Sequence, residues 1–140
     1  MGPERKLWHE LKRNTPQIRW TRIENTSLLG TPDLLGYNSS GKFFTVELKV
    51  TKSNKVRFSP HQIAFHVRHP KNTFILVRSL VQRDLKLFQG TEIQHLVACG
   101  LKQVTGLVMT SVWGMRHWLP PGSNSSGSFH TCCLALKQGM

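Results

Sequence analysis

Three side chains suited to the hydrolysis of phosphodiester bonds lie near one another in the chain: Asp33, Glu47 and Lys49. Carboxylate oxygens are the preferred ligands of hard cations such as Mg²⁺, and two acids that converge from different elements can hold one such ion. The bound ion polarises a phosphoryl oxygen and lowers the pKa of a water molecule. A lysine beside it balances the negative charge that develops during the reaction. These residue types therefore indicate metal-dependent cleavage of a phosphodiester bond.

A β-hairpin is the element expected to bring the two acids together. Residues 33–37 and 42–50 have strand-like sequences, and the NSSG turn at 38–41 connects them. Because side chains alternate along a strand, Glu47 and Lys49 point the same way. The opposite face of that strand is apolar and is predicted to pack on the core: Phe44, Val46, Leu48 and Val50.

The rest of the chain predicts helices on both sides of this hairpin. The second helix has a capping-box pattern, with Ser59 as N-cap, Pro60 at N1 and Gln62 at N3. The predicted order is α–β–β–β–α–β–β–α, which indicates a single-domain α/β (α+β) fold with a mixed sheet flanked by helices. The other predicted elements are helices at 3–13 and 91–100 and strands at 17–24, 72–80 and 84–90.

Charge indicates the class of partner. The sequence has nineteen Lys and Arg residues and seven Asp and Glu residues, which gives a formal net charge of +12. Such a field attracts polyanions, with nucleic acid first and an anionic membrane surface second. A long basic amphipathic helix would favour the membrane, and the sequence has none. A DNA-binding surface should avoid acids unless a cation neutralises them, so the retained acids are candidates for a metal site.

Length and cysteine use set broader limits. A chain of 140 residues fits one domain of about 100–150 residues. No run of about 18 apolar residues is present, so no membrane span is expected. Cys99, Cys132 and Cys133 form no CxxC pair, and a reducing cytoplasm is the expected compartment.

Several sequence blocks, in this order, resemble the PD-(D/E)XK nuclease superfamily. Pro32-Asp33 is followed by Glu47-Leu48-Lys49. The wider blocks TRIENTSLLGTPDLLG, VELKV and SPHQIAFH look like the small VRR-NUC and phage nucleases that are related to Holliday-junction resolvases. The resemblance covers roughly residues 4–100 and implies a restriction-endonuclease-like fold. It divides the chain into a nuclease core at 1–101 and a C-terminal extension at 102–140, partly flexible, with a linker-like stretch at 120–128.

The resemblance also implies a role for each matching residue. Lys49 would orient or help deprotonate the attacking water and would stabilise the developing charge, and Gln62 would position the site or the scissile phosphate. The implied ligands of Mg²⁺ or Mn²⁺ are Asp33, Glu47, the Leu48 carbonyl and Glu10 on the first helix.

Each of these assignments has a purely structural alternative. Glu47 and Lys49 could form an exposed ion pair of little energetic value. Asp33 could be a turn residue after a proline. Glu10 could pair with a lysine one helical turn earlier. Gln62 could serve only as the capping partner of the second helix, although both roles can coexist.

Basic residues around the hairpin are candidates for contact with the DNA backbone. A basic loop follows the ExK strand directly, and a histidine opens the next helix. The predicted contacts are Lys52, Lys55, Arg57, His61 and Arg22, with Arg19 and Lys42 as an extension of the same surface.

The function expected from these features is a metal-dependent DNA endonuclease that selects branched DNA, as in Holliday-junction resolution and DNA recombination. A homodimer would place two active sites on two strands. Phage origin, with activity in the cytoplasm of the host, is also expected. Two alternatives stay open: a restriction-like or nicking nuclease with sequence preference, and a DNA-binding protein without catalysis.

Overall fold

The computed structural model describes residues 2–23 and 29–102 with their side chains, and the backbone of three short strands beyond them. A short 3₁₀ turn, Gly90–Glu92, leads into the third helix. The elements in chain order are α1 (Pro3–Asn14), β1 (Arg19–Arg22), β2 (Leu34–Tyr37), β3 (Phe43–Thr51), α2 (Pro60–Arg68), β4 (Thr73–Ser79), β5 (Asp84–Gln89), α3 (Ile93–Cys99), β6 (Leu107–Thr110), β7 (His117–Leu119) and β8 (Gly127–Ser128).

The strands form one mixed sheet in which spatial order follows chain order from β1 to β8. Every neighbouring pair is antiparallel except β3 and β4, which are parallel. A parallel pair needs a crossover connection, and α2 supplies it. The site residues on β3 therefore lie within the sheet, beside the helix that crosses it.

Helices cover both faces of the sheet. The amphipathic helix α1 buries its apolar stripe, Leu7, Trp8 and Leu11, against the apolar face of β3. The predicted core side of β3 is confirmed, because Phe44, Val46 and Leu48 are buried and Val50 is partly buried there. A second cluster packs α2 and α3 on the other face: Val56, Ile75, Val77, Phe88, Ile93, Leu96 and Leu101, with Phe58 and Ile63 at its border.

The predicted fold class is confirmed, and so is the order of the elements up to α3. The capping box of α2 forms as expected, with Ser59 and Gln62 bonded reciprocally. The predicted helix at 91–100 begins later, because the chain first makes the 3₁₀ turn. Gly100 ends this helix at a positive φ of 78°, as its sequence predicted.

The C-terminal segment joins the sheet through the pairing of β5 with β6. Within the predicted linker 120–128, residues 127–128 belong to β8, and 120–126 lie outside the described residues, as do Cys132 and Cys133. No helix in the described part of the chain combines the length and the apolar character that crossing a bilayer requires.

Candidate active site

The register of the hairpin places Asp33 beside Glu47. Leu34 on β2 faces Val46 on β3, so the preceding residue, Asp33, lies level with Glu47 on the antiparallel partner. The Asp33 carboxylate is fixed in this position, because its Oδ2 accepts a hydrogen bond of 2.8 Å from the Leu48 backbone N–H. Its own backbone carbonyl accepts from the N–H of Ile23 at 2.8 Å. The start of β2 is thereby held through both the backbone and the side chain of Asp33.

Glu47 is buried, with only 3% of its surface exposed. Burial, and next the neighbouring Asp33 carboxylate, raise the pKa of Glu47 to about 8, although Lys49 opposes the shift. Burial also raises the pKa of Asp33. Two carboxyl groups that lie this close cannot both ionise without a compensating charge. At neutral pH and without a bound cation, the pair therefore keeps one proton. That proton neutralises one of the two negative charges that a cation would otherwise balance.

Gln62 connects the two strand residues of the site. Its Nε2 donates to Glu47 Oε1 at 2.7 Å, and its Oε1 accepts from Lys49 Nζ at 3.0 Å. The same Oε1 accepts from the Ser59 N–H at 2.9 Å, which is the capping contact. The capping contact and the contacts to the site thus coexist in a single side chain. The capping box holds the amide in one orientation, and the amide in turn orients the acid and the lysine.

The acid of α1 that interacts with this pair is Glu4 rather than Glu10. Glu10 Oε2 on α1 forms an ion pair with Arg78 Nη2 on β4, and the two atoms are 2.5 Å apart. Glu4 instead has a raised pKa, first through burial and next through the charge of Asp33. The sequence-based assignment of the helix acid to Glu10 is not supported by this placement. Both acids lie one helical turn from a buried residue of α1, Glu4 from Trp8 and Glu10 from Leu7, so their spacing alone does not distinguish them.

A divalent cation fits the acid pair. Among the residues with described side chains, no cluster of three or more His, Cys, Asp or Glu residues forms a ready metal site. Glu47 Oε2, however, is buried and has no hydrogen-bond partner among the described residues. A cavity of about 40 Å³ is lined by Glu4, Arg5, Arg22, Asp33 and Leu48 but not by Glu47, and a space of that size can hold a water molecule or an ion. The unpartnered oxygen of Glu47 and the neighbouring Asp33 carboxylate are ligands of the kind that a hard cation prefers.

The predicted DNA-binding residues surround this centre without entering it. Lys52, Lys55 and Arg57 are exposed and line a cavity of about 390 Å³ that Glu4 and Lys49 also border. The loop is ordered by Thr51, whose hydroxyl donates to the Lys55 carbonyl at 2.7 Å. Two further predicted contacts lie nearby: His61 is exposed on the first turn of α2, and the charge of Arg22 partly opposes the rise that burial causes in the pKa of Asp33.

Gly30 holds the Asp33 loop against the start of α2. Its φ of +83° lies in the left-handed region, and a Cβ at this position would overlap the backbone carbonyl of His61. We expect Gly30→Ala to lower the free energy of unfolding by about 1–3 kcal/mol and to weaken any activity that depends on Asp33. Chemical denaturation measures the first effect. Gly41→Ala is the matched control, because Gly41 has a similar φ of +80° but a Cβ there would come no closer than 3.5 Å to a neighbour. Equal losses of unfolding free energy in both variants would contradict the role given to the His61 contact.

The acid pair also predicts how stability depends on pH. The folded state binds a proton at Glu47 with a pKa of about 8, whereas the ordinary pKa of this carboxyl is 4.5. The contribution of the protonated Glu47 carboxyl to the stability of the fold is therefore complete below about pH 4.5, falls as the pH rises, and is lost above about pH 8. Calorimetry in EDTA should show a melting temperature that declines across this range. Mn²⁺ should raise the melting temperature more at pH 8 than at pH 5, because the ion displaces the proton, and a Glu47→Gln variant should show a flatter profile.

Comparison with solved structures finds a likeness of fold. No family model matches the chain, and no curated protein matches its sequence. Among solved structures, the fold is similar to Hjc, a Holliday junction resolvase from the archaeal hyperthermophile Archaeoglobus fulgidus. The likeness covers 63% of this chain and 73% of that one, with a TM-score of 0.46 and 17% sequence identity.

Proposed function

We propose that this protein is a metal-dependent nuclease that hydrolyses phosphodiester bonds in DNA. The observation that carries the proposal is the pair of half-buried Asp33 and buried Glu47, with raised pKa values and an unpartnered carboxylate oxygen, next to the Lys49–Gln62 hydrogen bond. A buried acid pair of this kind destabilises the fold unless it binds a positive ion. A functional role accounts for that cost, and an exposed ion pair between Glu47 and Lys49 does not match the burial.

Asp33 and Glu47 would hold the cation, which supplies Lewis acidity toward the phosphoryl oxygen and a more acidic water. The Leu48 carbonyl is a third candidate ligand, because the Leu48 N–H already fixes Asp33 on the same peptide segment. The Lys49 ammonium orients the water and stabilises the negative charge of the transition state. The water gives up a proton and its oxygen bonds to phosphorus as the bond to the 3′-oxygen breaks; that oxygen takes up a proton, so the products carry a 5′-phosphate and a 3′-hydroxyl.

DNA is the proposed substrate because the net charge of +12 and the exposed basic loop suit a polyanion. The cavity beside Lys49 opens onto Lys52, Lys55 and Arg57, so a phosphate chain that follows those side chains would reach Lys49. The preference for branched DNA, a homodimeric assembly and a phage origin rest on the resemblance of the PD and ExK blocks. These three statements extend the proposal beyond the activity and the class of substrate.

Cleavage assays test the activity and the substrate separately. Supercoiled plasmid should be nicked with Mg²⁺ or Mn²⁺ and left intact with EDTA. A four-way junction and a plain duplex of the same sequence should then be cut at different rates, with the junction favoured. Equal cutting of both would favour a nicking or restriction-like enzyme. An absence of cleavage, together with salt-dependent DNA binding, would leave a DNA-binding protein without catalysis.

The two acids of α1 offer a matched pair of variants. Glu4→Gln is expected to lower the cleavage rate by roughly tenfold or more, because a charge near the cation changes its affinity and the ionisation of its water. Glu10→Gln should leave the cleavage rate unchanged and lower stability instead, since Glu10 is bonded to Arg78. Steady-state cleavage and thermal melting of both variants measure these effects. The opposite pattern would restore Glu10 as the site acid.

A further inference from the structure

An exposed aromatic pair lies at the end of the β2–β3 hairpin. Tyr37 and Phe43 are cross-strand partners, and their ring centroids are 4.7 Å apart at an interplanar angle of 54°. Phe43 is 59% exposed and Tyr37 is 38% exposed. Large aromatic side chains are usually buried, so two of them in contact on the surface indicate a binding surface rather than a core contact.

A cleft opens beside this pair. It has a volume of about 360 Å³ and is lined by Gln17, Arg19, Tyr37, Asn38, Ser39 and Gly41. Tyr37 forms an aromatic wall, and the other lining groups are polar or basic. None of these lining residues is acidic. Arg19 is the partner of Tyr37 across the β1–β2 pair, and both residues line the cleft.

The pair shares a face of the sheet with the candidate active site. Phe43 and Glu47 lie four residues apart on β3, and side chains at even spacing point the same way. The distance along the strand is about 13 Å, because each residue advances it by about 3.3 Å. That length corresponds to about four stacked nucleotides at about 3.4 Å each. A DNA strand with a phosphate at Glu47 could therefore reach the pair.

We propose that Tyr37 and Phe43 bind an unpaired nucleobase of the DNA strand whose phosphate lies in the active site. This inference rests on the proposed function and names the substrate more closely, as DNA with single-stranded nucleotides next to the cleaved bond. Every base has an aromatic face that can stack on such rings, which makes the contact tolerant of sequence. Arg19 binds the adjoining phosphate, and the polar groups of Gln17 and Ser39 are available to the edge of the base.

Charge favours this occupant over an apolar one. A second copy of the chain would bring its own +12 charge toward Arg19, and like charges in an interface oppose association. A nucleic-acid strand has the complementary charge, and its flat bases can stack on the two rings. Proteins that bind single-stranded nucleic acid repeatedly combine arginine with aromatic side chains in this way.

Binding without cleavage tests the proposal. Fluorescence anisotropy in EDTA would compare a blunt duplex with duplexes that carry a 5′ or a 3′ single-stranded tail. Tyr37→Ala and Phe43→Ala should each weaken binding of one tailed duplex by roughly tenfold and leave the blunt duplex unchanged. Tyr37→Phe should restore the affinity, because the ring is kept. A 2-aminopurine base in the tail should be quenched by the wild-type protein and not by the alanine variants.

Val97→Ala is the control, because it removes an exposed apolar side chain from α3, away from the hairpin. If one alanine variant fails to fold, the other and the 2-aminopurine signal still decide. Unchanged affinity for both tailed duplexes, or a change of oligomeric state in Phe43→Ala, would overturn the proposal. Quenching of the tail without any cleavage of DNA would support the base-binding site and refute the proposed nuclease activity. Cleavage without quenching would support the nuclease activity and refute the base-binding site.

Discussion

Asp33→Asn and Glu47→Gln are each expected to lower metal-dependent cleavage by roughly a hundred- to a thousandfold, while the fold persists. The rate falls because a cation contributes several kcal/mol to transition-state stabilisation, and each ~1.36 kcal/mol corresponds to a tenfold change in rate. In Glu47→Gln the new amide oxygen could still accept the Gln62 hydrogen bond, so the change removes charge and leaves the bridge in place. Single-turnover cleavage at saturating Mg²⁺ measures the loss.

The same substitutions should raise stability in EDTA near pH 8, although they lower the cleavage rate. Each removes one member of a pair in which burial raises the pKa values of both acids. Asp84→Asn is a matched control, because burial also raises the pKa of Asp84, which lies at the start of β5. It should change stability in the same direction and leave cleavage intact. A Glu47→Gln variant that cuts at the normal rate would refute the assigned metal site.

Lys49→Ala is expected to lower the cleavage rate by a similar factor, about a hundredfold or more, with little loss of cation affinity. The Nζ of Lys49 donates to Gln62 Oε1, but that oxygen also accepts from the Ser59 N–H. Gln62 therefore stays in place when the lysine is removed, and the lower cleavage rate is due to the loss of the ammonium group. Lys49→Arg would keep the charge but change its position, so we expect partial activity from it.

A neighbouring lysine provides the comparison for this variant. Lys52 is exposed on the basic loop, and Lys52→Ala should weaken DNA binding and reduce its salt dependence while the rate at saturating DNA stays unchanged. Lys49→Ala should do the opposite, with a lower maximal rate and nearly normal binding. Calorimetric Mn²⁺ titration of both variants checks that the metal site survives. Normal cleavage by Lys49→Ala would show that the nuclease assignment is misplaced.

Local patterns explain which features the sequence predicted well. The strand period of two determined the faces of β3, and the Ser-Pro-x-Gln spacing determined the start of α2, because both depend on residues a few positions apart. The hairpin register likewise follows from its short turn. These local features were sufficient to predict that Asp33 and Glu47 would be neighbours.

Features that depend on packing were not accessible in this way. Glu4 and Glu10 lie on the same helix, and only the docking of α1 on the sheet decides which acid approaches Asp33 and which meets Arg78. The contact between Gln62 and Glu47 similarly depends on the crossover that brings α2 over β3. The sheet pairing of 107–110 had no clear signal, because a short apolar run suits a strand or a docking segment equally.

A crystal of the protein soaked in Mn²⁺ would test the proposed metal site most directly. We expect an anomalous peak between the carboxylates of Asp33 and Glu47, within ligand distance of both, and none there in Glu47→Gln. A peak bound elsewhere, or carboxylates that continue to share a proton at pH 8 in the presence of the ion, would contradict the assignment.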